Sequence, residues 1–226
     1  MIVALFDSDG TLYSKQMGFG MMKYEEINGR RNRARLYYAS LMPGYLLSKS
    51  GSMKPERFQH SLIMGLTRFF KGANLEDGMS LFTWVVKEYL LPAKRTDVVN
   101  RLKEHQKEGH RVVIVSGSFT PCLEMIGEHF GVTDLIGTQL EIQNERYTGK
   151  IIPPLITGTA KAEKIRELLS TYSEAVDWDS SYAYGDSFTD RDMLNLVGHP
   201  VAVYPDNKLH KLAKEKNWEI LGTPKE

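Results

Sequence analysis

Four short, largely apolar runs punctuate the chain, and each gives way to polar residues at its C-terminal end. Residues 2–6 read Ile-Val-Ala-Leu-Phe and stop at Asp7. Comparable runs occupy 111–118 (RVVIVSGS), 181–187 (SYAYGDS) and 200–206 (PVAVYPD). Segments this short, apolar at successive positions, predict strands buried on both faces. Helical spacing separates them. Across 96–109, Val98, Val99 and Leu102 make an apolar stripe, with Thr96 placed to cap it and Gly109 to end it. A second helical pattern, KAEKIRELLSTY at 161–172, precedes the third run. Strands alternating with helices predict an α/β fold: a Rossmann-like, doubly wound parallel sheet. Residues 145–151 (ERYTGKI) read as a strand or hairpin on its rim.

Residues 14–90 break the alternation. One helical pattern follows Asn28, charged at first and apolar later. A second starts near Pro55 and runs to Phe70, and a third covers Leu75 to Leu91. No strand pattern interrupts them. The chain is therefore expected to have a core, residues 1–13 and 91–226, carrying an all-helical insert, residues 14–90.

Composition narrows the setting. With 226 residues, a sizeable core can form without cross-links. The single cysteine, Cys122, has no partner for an internal bridge, so a reducing, cytoplasmic location is expected. No signal peptide opens the sequence, and no apolar stretch approaches the roughly 20 residues of a membrane span. Net charge is only +1 but unevenly spread: residues 14–84 hold 11 Lys/Arg against 5 Asp/Glu. A basic insert over an acidic remainder suits a small anionic molecule, and no nucleic-acid partner is expected.

Four places carry candidate chemistry. Asp7 and Asp9 lie just beyond the first strand, two residues apart and so pointing the same way, before a Gly10-Thr11 turn. Two adjacent carboxylates call for a cation or a shared proton. Asp186 follows the third strand, with Asp190 four residues on, and could complete a carboxylate cluster. An all-oxygen donor set favours a hard cation such as Mg2+, and no cysteine–histidine spacing points to zinc. Ser116 and Gly117 end the second strand, where a hydroxyl and backbone N–H groups can cradle an anion. Lys161 opens a helix, where lysine and helix dipole both favour an anion.

In this order the four resemble the motifs of the haloacid dehalogenase superfamily: DSDGT at 7–11, VSGS at 115–118, Lys161, and GDSFTD at 185–190. The long helical insert after the first motif resembles the subfamily that includes phosphoserine phosphatases. The resemblance implies a phosphomonoester hydrolase with an inserted cap. Asp7 would be the nucleophile that forms an aspartyl-phosphate, and Asp9 the general acid and base. Mg2+ would be held by the Asp7 carboxylate, the Asp9 backbone carbonyl and Asp186. Ser116, Gly117 and Lys161 would bind the phosphoryl oxygens. Asp190 would orient the site, and Thr189 stands where relatives often place a substrate-facing asparagine. Phosphoserine phosphatase proper, a phosphomutase or phosphotransferase, and a non-catalytic phosphate-binding protein are the alternatives.

The chain departs from phosphoserine phosphatases in the insert. Gln16 stands where they carry an acidic residue for the substrate amine, and Gly65 where they carry an arginine for its carboxylate. Another phosphomonoester is therefore expected. Phe19, Met21, Met22, Tyr24, Tyr37, Tyr38, Met42 and Tyr45 are expected to form the insert's own core, the alternative being an adaptable surface for a bulky or lipid-like leaving group. Arg30, Arg31, Arg33 and Arg35 read as a solvated helix start, with an anionic substrate or membrane surface as the alternative.

Overall fold

A computed structural model describes residues 1–224, apart from the side chains of Pro55 and Glu56. Residues 225 and 226 of the expected core lie outside it. Seven strands form one sheet: β1 (Val3–Phe6), β2 (Arg111–Phe119), β3 (Asp134–Gln143), β4 (Arg146–Ile152), β5 (Tyr182–Gly185), β6 (His199–Val203) and β7 (Glu219–Leu221). Their order is β4-β3-β2-β1-β5-β6-β7. Every neighbouring pair is parallel except β3 and β4.

Both faces of the sheet are covered, which is why its strands are apolar at successive positions. Ala4, Phe6, Val112 and Ile114 face α5 (Thr96–Lys107) and α6 (Thr120–Phe130), meeting Val98, Leu102, Leu123 and Ile126. Val3, Leu5, Val113 and Val115 face the other way. They pack on α7 (Thr159–Leu169), α8 (Arg191–Leu194) and α9 (Asn207–Glu215) through Ile165, Met193 and Leu209. The strand order reverses direction at β1, with β2 on one side and β5 on the other. In open α/β sheets such a point, at the carboxyl ends of the strands, is where a ligand crevice forms.

Between β1 and α5 the chain forms four α-helices: α1 (Met17–Ile27), α2 (Arg31–Lys49), α3 (Pro55–Thr67) and α4 (Leu75–Trp84). Their buried side chains, among them Met21, Met22, Leu66 and Phe82, and Phe70 of the 3-10 turn after α3, continue the sheet's core. Phe70 stacks on Phe82 at 4.8 Å and meets Phe119 of β2 edge-on at 5.8 Å. The expected aromatic and methionine core is only partly realised. Met21, Met22 and Tyr37 are buried, whereas Phe19, Tyr38, Met42 and Tyr45 are exposed. The arginine run divides as well. Arg30 and Arg33 hold the buried Glu25 at 2.8 and 3.1 Å, so these two are structural.

Local boundaries also differ from the sequence reading. The third insert helix does not continue to Leu91: after Trp84 it widens to a π turn over Val85–Leu90 and closes with a 3-10 turn at Leu91–Ala93. Thr96 is the first helical residue of α5, not its cap, and Arg95 precedes it in extended backbone.

Candidate active site

The carboxyl ends of β1, β2 and β5 gather the polar residues. Asp7 directly follows β1, and its N–H donates to the Tyr184 carbonyl of β5 at 2.9 Å. Asp186 directly follows β5. Thr11 bridges the two: its hydroxyl lies 3.1 Å from an Asp7 oxygen and 3.3 Å from an Asp186 oxygen. Thr11 was read in the sequence only as part of an exit turn. Its hydroxyl also ties together the first and last motifs.

Lys161, in the first turn of α7, reaches across to them. Its Nζ lies 2.6 Å from Asp7 Oδ1 and 2.6 Å from Asp190 Oδ1. All three side chains are buried. The other Asp190 oxygen accepts the Ser187 N–H at 3.1 Å, closing the turn after β5. Asp190 thus fixes both the lysine and the loop that carries Asp186. Carboxylate oxygens of Asp7, Asp186 and Asp190 lie within 4.8 Å of one another.

Asp9 faces a different set of groups. Its Oδ2 accepts the Met17 N–H at 2.9 Å and the Ser118 hydroxyl at 3.0 Å. Its Oδ1 is buried and has no hydrogen-bond partner among the described residues. Ser118, inside the VSGS motif, thus fixes a carboxylate, a role its place in the motif does not reveal. Ser116 is buried, and its hydroxyl oxygen accepts the Ser118 N–H at 3.2 Å. Gly117 sits under the insert: a Cβ there would lie 3.0 Å from Ile63 of α3 and 3.3 Å from the Ile156 carbonyl. Glycine lets α3 approach β2 closely at this point. Thr189 is buried beside the cluster, with its hydroxyl 2.9 Å from that of Ser187.

The electrostatics follow from burial. Loss of water pushes the Asp7 carboxyl above the ordinary carboxylate range, and the Lys161 charge pulls it only part of the way back. Burial also pushes Asp9 up, to about 7, against the Met17 N–H that stabilises its charged form. For Lys161, burial opposes the charged form, but Asp190 and Asp7 outweigh it and the ammonium is favoured. One buried cation thus faces three carboxylates, Asp7, Asp186 and Asp190, an oxygen-rich set that fits a hard divalent ion.

A family model described as haloacid dehalogenase-like hydrolase matches residues 4–195. The chain belongs to the haloacid dehalogenase-like hydrolase family. Its match with the "Inhibition of morphological differentiation protein" of Streptomyces azureus is 31% identical over 222 residues, covering 96% of this chain and 77% of that protein. A "Histidinol-phosphatase" of Neisseria meningitidis is 28% identical over 222 residues, covering 97% and 98%. Among solved structures, a Bordetella pertussis protein of unknown function superposes with a TM-score of 0.82 at 23% identity, covering 97% of each chain. This hydrolase family's α/β core therefore accounts for the sheet and the position of the four motifs. Among the described residues no helix is long and apolar enough to cross a membrane.

Proposed function

We propose that this hydrolase cleaves a small phosphomonoester through an aspartyl-phosphate formed on Asp7, with Mg2+ as cofactor. Its class is that of a phosphoric monoester hydrolase of the haloacid dehalogenase type. The observation that carries the mechanism is the division of labour between the two motif aspartates. Asp7 is held by Lys161 within the carboxylate cluster, while Asp9 stands apart from that lysine, bound to Met17 and Ser118.

Asp7 attacks phosphorus with its carboxylate, whose charged form Lys161 favours, offsetting part of the cost of burial. Asp9 is poised to give a proton. Its Oδ2 accepts two hydrogen bonds, so the proton rests on Oδ1, the oxygen without a partner. With its carboxyl pushed up to about 7, Asp9 is substantially protonated near neutrality and can donate to the leaving alkoxide. The resulting carboxylate then takes a proton from the water that hydrolyses the aspartyl-phosphate. Lys161, Ser116 and the backbone at Gly117 bind the phosphoryl oxygens, and Thr189 lines the same turn. Asp7, Asp186 and the Asp9 carbonyl would hold Mg2+, with Asp190 orienting Lys161. When bound, the ion supplies positive charge that lets an anionic nucleophile approach an anionic phosphate.

Residues 14–90 form the cap in this reading, closing over the site to exclude water and choose the leaving group. Gly65 argues against phosphoserine. A Cβ there would lie 2.8 Å from the Tyr37 ring, so the position is filled by a neighbour and has no space for an arginine. The Neisseria histidinol-phosphatase, matched along nearly its whole length, makes amino-alcohol phosphates the first group to try.

The test is phosphate release from a panel of amino-alcohol, sugar and aryl phosphates, with Mg2+ and with EDTA. The reading expects free phosphate, abolished by EDTA and by Asp7→Asn. Phosphate recovered only on an acceptor alcohol would favour a phosphotransferase. No turnover of any panel member would favour a binding protein.

A further inference from the structure

Helix α2 is largely apolar on the side that no described residue covers. Its packed side carries Ala34, Tyr37, Leu41, Gly44 and Ser48, which turn toward α1 and α3. At about 100° per residue, Leu36, Ala39, Met42, Pro43, Leu46 and Leu47 fall in an arc of ~140° roughly opposite that side, which Asn32 and Arg35 near the helix start share. All six are exposed: Leu36 to 71%, Leu46 to 57% and Met42 to 51%. A surface helix ordinarily presents polar residues there. Phe19 of α1 is also exposed and stacks near Tyr38 at 6.5 Å, widening the patch.

Charge selects the occupant. The nineteen residues of α2 include three arginines and one lysine and no acidic residue. Arg33 is occupied by Glu25. Arg31, Arg35 and Lys49 are exposed; helical spacing puts Arg31 and Lys49 along one border of the apolar arc and Arg35 just inside it, with Tyr38 and Tyr45 beyond. Apolar residues bordered by tyrosines and cations match the layers of a bilayer surface, from acyl boundary to headgroup. A second copy of the chain would bring cations against cations, with no acid on the helix to meet them.

The geometry points to α2 as a docking surface for an anionic lipid bilayer, on which the cap rests by its outer face. Leu36, Met42, Leu46 and Leu47 enter the interface, and Arg31, Arg35 and Lys49 meet lipid phosphates. The proposal does not depend on the substrate.

The whole chain is sedimented with vesicles of phosphatidylcholine alone and of phosphatidylcholine mixed with phosphatidylglycerol. Binding to the anionic vesicles is expected to be at least about tenfold stronger and to weaken with added salt. Leu46→Glu and, separately, Arg35→Glu should each reduce it several-fold, without change in melting temperature or in turnover of a water-soluble aryl phosphate. Failure to bind anionic vesicles overturns the proposal, as does equal binding by wild type and Leu46→Glu. A dimer seen by light scattering without lipid, and lost in Leu46→Glu, would assign the face to a second copy and also overturn it.

Discussion

Lys161 and Asp7 form a buried ion pair, Nζ to Oδ1 at 2.6 Å, between residues 154 positions apart in the chain. The same ammonium holds Asp190. Removing it by Lys161→Met leaves two buried carboxylates facing one another. Stability should fall by about 3–5 kcal/mol, as when one partner of a buried pair is lost. Turnover should fall by roughly 10²–10³-fold, the loss typical of one preorganised charge donor. Thermal unfolding and phosphate release measure the two effects. A variant that melts and turns over like wild type would remove Lys161 from the site.

Asp9 sets the expected pH dependence of the phosphorylation step. Burial raises its carboxyl to about 7, and the acid role needs the protonated form. Below about 7 the proton is present; above it, kcat/KM for an alkyl phosphate should decline. Asp9→Asn should lower kcat/KM and abolish that alkaline limb. An aryl phosphate, whose leaving group needs little protonation, should show a weaker limb in wild type. A limb unchanged by the substitution would assign it to another group.

Three of the four motifs were legible because each lies at the carboxyl end of an apolar strand that the parallel sheet buries on both faces, whereas Lys161 opens helix α7. Asp7, Ser116 and Asp186 could be placed at one sheet edge from sequence for that reason. The side-chain partners were not legible. Ser118 stands in a quoted motif, but only the fold brings it to Asp9, 109 positions earlier. Strand β3 carries a period-2 pattern, Ile136, Leu140 and Ile142 against Gln139, Glu141 and Gln143, but the buried Asp134 and Thr138 dilute its apolar face. Helix α6 starts at Thr120, where β2 ends at Phe119, and its stripe merges with the strand's apolar run. Edge strand β7 is only three residues long.

Gly65 gives a direct test of the proposal that phosphoserine is not the substrate. Tyr37 fills the space, anchored by its hydroxyl donating to the Leu62 carbonyl at 2.9 Å. Gly65→Arg should therefore destabilise the chain by about 1–3 kcal/mol, as overpacking does, and should not confer phosphoserine turnover. Denaturant midpoints and a phosphoserine assay decide it. Gain of that activity without loss of stability would mean that Tyr37 yields easily and the site is open to such substrates.

Acid stability should depend on His105, at the opposite end of the sheet. It is buried, with Nε2 2.8 Å from the Tyr184 hydroxyl and Nδ1 2.8 Å from His110 Nδ1. Burial first, then the His110 charge and Arg101, lower its pKa to about 4, while Glu108 pulls the other way. The unfolded chain binds this proton near 6.5, so between 6.5 and 4 the unfolded state holds more protons than the folded one. The contribution is fully present above about 6.5 and is lost as pH falls through about 4. A shift of that size corresponds to about 3 kcal/mol. His105→Gln, which keeps a polar group for Tyr184 but cannot titrate, should flatten the fall in unfolding free energy over this range. Equal slopes for the two proteins in urea titrations at successive pH values would show that other groups govern acid unfolding.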